Sequence, residues 1–161
     1  MIAELEAKIA AAEAEIKELR EIKIPEAEKE LDKCRELLPL LKNIGRDASN
    51  GEYALNNAAN SLNRGIRIDG VGQGQKIFER VDKIKELHTN SETGAENVQI
   101  RIKELEQNIE ECNARIVELD ASIAGWRAEI ARIQAEERAR KEAMEKAINI
   151  VADAYNNFLK S

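Results

Sequence analysis

Read backward from Ile133, core-type side chains recur at Ile130, Trp126, Ile123, Leu119, Ile116, Cys112, Ile109, Leu105, Ile102 and Val98, in alternating steps of three and four. A seam of that period suits a helix that buries one narrow edge against another helix, the heptad pattern of a coiled coil. The register carries back through Ala95, Ser91, His88, Ile84, Val81 and Ile77, so the spacing predicts one long helix starting just after Gly74.

The first third repeats the pattern at Ile2, Leu5, Ile9, Ala12, Ile16 and Leu19, then resumes one residue late at Ile24, Ala27, Leu31, Cys34, Leu38 and Leu41. Pro25 sits at the slip. Proline has no amide donor and crowds the carbonyl four residues back. A kink, or a restart with Pro25 in a first turn, is expected there, and Pro39 poses the same problem. Beyond Leu41 the seam thins through Gly45, Ala48, Glu52, Leu55, Ala59 and Leu62.

Two weak helix-forming stretches, "GRDASNG" at 45–51 and "HTNSETG" at 88–94, are almost equally far from residue 70. If the chain folds back near that residue they lie at one height. The expected fold is therefore all-α: a long antiparallel coiled-coil helical hairpin over 1–138, with legs at about 2–64 and 76–138, a glycine-rich tip at 65–75 and a C-terminal helical overhang at 139–161. The tip, "RGIRIDGVGQGQKIF", lacks the glycine-lysine-hydroxyl end of a phosphate loop, and no strand precedes it as a dinucleotide fingerprint requires. Its glycines read as the positive-φ positions of a helix-helix turn.

Composition narrows the function. Of 161 residues, 35% are charged and 3% aromatic, which suits long solvated helices better than a round enzyme core. The formal charge of -6, with Lys and Arg scattered among acids, leaves no basic stripe for nucleic acid. No apolar run is long enough to span a bilayer. The N-terminal segment carries acids from Glu4 and lacks the form of a Sec-type signal peptide, so a cytoplasmic protein is expected, with any export by a non-Sec route.

Chemistry-bearing residues are few. His88, the single histidine, falls on the seam, and a metal site needs several converging ligands. Cys34 and Cys112 also fall on the seam and read as small buried side chains without a base beside them. Whether they pair depends on a register that the pattern leaves open. Trp126 reads as core, opposite Ile16 or Leu19 for a fold about residue 70. Carboxylate pairs such as "EEC" and "AEE" read as solvated faces. No catalytic residue, metal or cofactor is expected, and the protein is read as not an enzyme.

The legs are unequal, so the end of the second has no leg to lie against. Yet its seam continues through Met144, Ala147, Val151, Ala154 and Phe158, widened by Ile148, Tyr155 and Leu159. An apolar stripe of that width marks an interaction surface for a protein partner or a second copy.

The order of "KCRELLPLLKNI", then "GIRIDGVGQGQKI", then "RIKELEQNIEECNARIVELDASIAGWRAEIARI" resembles the small helical-hairpin proteins encoded beside LXG-domain toxins in type VII secretion loci of Gram-positive bacteria. The likeness covers about residues 1 to 135. It implies an adaptor or targeting chaperone, akin to WXG-type helical hairpins, that binds the helical N-terminal domain of a toxin. Trp126 follows Gly125 within a helical stretch rather than forming a Trp-Xaa-Gly turn, and Leu159 stands where an export signal would place an acid after Tyr155. The resemblance thus implies a companion that travels with its partner or stays in the cytoplasm. The alternative is a self-assembling structural scaffold or spacer.

Overall fold

The computed structural model describes residues 1–65 and 71–160, with side chains for 1–61 and 77–159. The chain is almost entirely helical, with no strand among the described residues. Helix α1 spans Ile2–Glu18, a π-helical turn spans Leu19–Lys23, α2 spans Ile24–Gly65 and α3 spans Val71–Lys160. Alanine, leucine and the long charged residues that fill these segments lose little side-chain freedom in a helix, and the heptad edge gives each helix something to bury.

Two compact units divide the chain, one of Met1–Lys23 with Cys112–Ser161 and the other of Ile24–Glu111. In the first, Ala12, Ile16 and Leu19 are buried on the N-terminal side and Ile116, Leu119 and Ile123 on α3. Ion pairs join the two: Glu13 with Arg127 at 2.7 Å, Glu15 with Arg115 at 2.8 Å and Arg20 with Asp120 at 3.3 Å. In the second, Ala27, Leu31 and Leu105 form a buried cluster on which Cys34, Ile102 and Ile109 pack. Arg101 reaches Glu30 at 2.8 Å and Arg35 reaches Glu106 at 2.9 Å.

The expected seam matches the burial. Each seam position named above from Ile77 to Ile133 is buried or half-buried, as is each from Ile2 to Ala59. Cys34 and Cys112 are half-buried thiols, with no disulfide between them.

α2 begins at Ile24, which places Pro25 in its first turn, the restart expected there, and it runs through Pro39 as one helix. The one-residue slip in the seam coincides with the π-helical turn ahead of Pro25. A π turn holds an extra residue, and the wider ring relaxes the backbone that proline would otherwise crowd. Trp126 lies beside Arg127, which pairs with Glu13, three residues before Ile16, while Arg20, next to Leu19, pairs with Asp120, six residues before Trp126.

At the expected tip, Gly65 ends α2 while Gly72 and Gly74 lie inside α3, which starts at Val71 rather than at 76. No described glycine has positive φ. The turn expected at 66–70 lies outside the described residues.

Candidate functional site

α3 changes character at Ile133. Up to that residue the seam recurs as buried or half-buried side chains; from Gln134 to Leu159 every residue is exposed. Intrahelical contacts support the start of this segment. Arg132 bonds Glu129 and also reaches Glu136 at 2.6 Å, and the Arg138 Nε donates to the Gln134 carbonyl at 3.3 Å. The Arg132 guanidinium, hydrogen-bonded to Glu129, holds that carboxyl below its ordinary range. Such i,i+3 and i,i+4 pairs support a helix without help from a second one.

All eight residues singled out from the sequence lie on this stretch and are exposed: Met144, Ala147, Ile148, Val151, Ala154, Tyr155, Phe158 and Leu159. Steps of three and four put them along one side of α3. Val151 is 68% exposed and Phe158 77%. Ile150, 69% exposed, belongs to the same surface and is absent from the expected set. It lies on the edge of the stripe opposite Ile148, where a count of seam positions does not find it.

Charge does not dominate this segment. Residues 134–159 carry five acidic and four basic side chains, and between 147 and 159 only Asp153 is charged. Recognition there rests on apolar area and shape.

The second candidate lies where the two weak stretches meet, as their spacing anticipated. The Nδ1 of His88 donates to the carbonyl of Gly45 at 2.9 Å, and the Nε2 lies 3.5 Å from the Glu92 carboxylate. Ser91, 4% exposed, donates its hydroxyl proton to the His88 carbonyl at 2.8 Å. Serine, histidine and glutamate are thus neighbours, but their bonds run the wrong way for nucleophilic catalysis. That chemistry needs the hydroxyl to donate to the imidazole, whereas the Ser91 hydroxyl donates to the His88 backbone carbonyl and Nδ1 to the Gly45 carbonyl. The group ties α3 to α2.

Among the described residues, no helix is long and apolar enough to cross a membrane. Comparison with protein-family models, with curated proteins and with solved structures finds no match.

Proposed function

We propose that the chain is a non-enzymatic helical partner: an antiparallel coiled-coil hairpin whose C-terminal overhang docks on the helical N-terminal domain of a type VII secreted LXG toxin as adaptor or targeting chaperone. The pairing of charges supports the hairpin. Glu13 and Arg20 lie seven residues apart, and so, in the opposite order, do their partners Arg127 and Asp120. Within the second unit Glu30 pairs with Arg101 and Glu52 with Lys85, again in opposite order.

The observation that carries the docking role is the exposed stripe itself. A helix whose apolar seam resumes in register from Met144 to Phe158, after its own cover ends at Ile133, presents the pattern by which amphipathic helices enter grooves or bundles. The resemblance to proteins encoded beside LXG toxins names the partner class.

Co-purification tests the role. The chain is expected to retain the toxin's N-terminal helical domain through gel filtration, and Val151→Asp with Phe158→Asp to weaken capture by at least about 100-fold, since carboxylates would be forced into an apolar contact. Far-UV circular dichroism should be unchanged. Equal retention by the double variant would rule out the overhang as the docking site.

A further inference from the structure

The exposed stripe carries a pattern that a helix made only for a foreign partner does not need. About Asn149, between Met144 and Ala154, the polarity reads the same in both directions: Ile148 and Ile150, then Ala147 and Val151, then Glu145 and Asp153, then Met144 and Ala154, with Lys146 and Ala152 the mismatch in that span and Arg140 with Phe158 a second beyond it. A two-fold interface demands this kind of self-complementarity, because residue i must meet j while j meets i.

We propose that in the isolated protein the overhang is covered by the overhang of a second copy, the two helices antiparallel with their two-fold axis level with Asn149. The inference rests on reading residues 139–161 as a docking helix, and gives that helix an occupant when no toxin domain is present.

Side-chain volume favours this alignment. In an antiparallel pair, positions at one edge of the seam face those at the other edge. Met144 then meets Ala154 of the second copy and Val151 meets Ala147, a larger side chain against a smaller one each time. The parallel alternative sets Met144 on Met144 and Ala147 on Ala147, alternating crowded layers with gaps, which close packing disfavours. The flanks agree. At the axis Ile148 meets its own copy on one side and Ile150 does so on the other, which accounts for an isoleucine 69% exposed beside the seam. Further out, Tyr155 falls opposite Lys141 of the second copy and Phe158 opposite Arg140, so aromatic rings meet cations.

The area sets the strength. Burying the apolar side chains around Asn149 in both copies removes on the order of 1,200 Å² from water, the lower end of the range for specific interfaces, so a dissociation constant in the micromolar range is expected.

Sedimentation equilibrium of the full chain, from about 2 to about 200 μM, spans such a constant and should show a monomer–dimer equilibrium. Ala147→Lys alone and Val151→Glu alone should each weaken the dimer at least about tenfold with helicity intact, by placing one unpaired charge in the contact. Combined, they set the introduced ammonium of one copy against the introduced carboxylate of the other and should restore affinity to within about threefold of the original chain. A parallel pair would instead set like charges together. A chain monomeric at the highest concentration, or a double variant as weak as the singles, would overturn the pairing. A chain that stays monomeric yet retains the toxin domain removes only the self-pairing, whereas a dimer indifferent to that domain removes only the docking role.

Discussion

His88 donates from Nδ1 to the backbone carbonyl of Gly45 across 2.9 Å, a side chain of α3 bonded to the main chain of α2. Position 45 has no side chain, and Ser91 packs closest against it. A Cβ built on Gly45 would stand 2.9 Å from the Ser91 Oγ and 3.9 Å from the His88 Nδ1.

That geometry makes the effect of Gly45→Ala depend on Ser91. Alanine gains about 1 kcal/mol of helix propensity over glycine. Here the gain is offset by displacing a hydroxyl whose bond to the His88 carbonyl is worth about 1 kcal/mol. Gly45→Ala is expected to be near neutral in the original chain. In a Ser91→Ala background, where the crowded atom is gone, it should stabilise by about 1 kcal/mol. Urea unfolding of the four chains of this cycle measures the coupling.

Gly125→Ala supplies the contrast. Nothing lies within 4 Å of a Cβ there, so the propensity gain of about 1 kcal/mol should come without offset and appear as a higher urea midpoint at unchanged slope.

Pro39 sits inside α2 on an exposed position and deprives the Arg35 carbonyl of its helical donor. Interior proline costs about 3 kcal/mol, and its removal loosens the unfolded chain by up to about 1 kcal/mol, so Pro39→Ala should stabilise by about 2 kcal/mol. Unfolding monitored by circular dichroism checks this. Pro25→Ala should gain less, because proline in a first turn gives up a donor that has no intrahelical partner.

The cross-helix ion pairs predict a loss of stability in acid. A hydrogen bond from Arg115 holds the Glu15 carboxyl below its ordinary value of 4.5, and one from Arg101 does the same for Glu30. A carboxyl more acidic when folded stabilises the fold above its unfolded value, and the contribution fades as pH falls through the lower folded value. The melting temperature should therefore decline below about pH 4.5, and Glu15→Gln with Glu30→Gln should make that decline shallower. Both pairs are solvent-exposed, so high salt should also weaken the effect.

Helix content and the buried edges were legible from the sequence because burial and spacing are one constraint in a coiled coil: Leu31 and Leu105 had to lie on a seam to be buried at all. Register was not legible. Sliding one leg by seven residues leaves every seam position on the seam. Charged pairs such as Arg20 with Asp120 select the register, and they have many partners within reach in the sequence. The slip at Pro25 was visible, but a kink and a π turn absorb a residue equally well on paper. For the candidate site, the continuing period marked Val151 and its neighbours. Where the exposure starts, at Gln134, depends on how far the first leg reaches, and Ile150 lies outside the seam count altogether.

A photo-reactive benzophenone side chain at Ile148 tests most directly whether the overhang receives the toxin domain. Val117, also exposed at 68% but on the part of α3 paired with the N-terminal segment, is the matched control. Irradiation with the LXG N-terminal domain present should join the two proteins from position 148 and not from position 117. Cross-linking from 117 alone, or from neither position in a complex that nonetheless forms, would contradict the account.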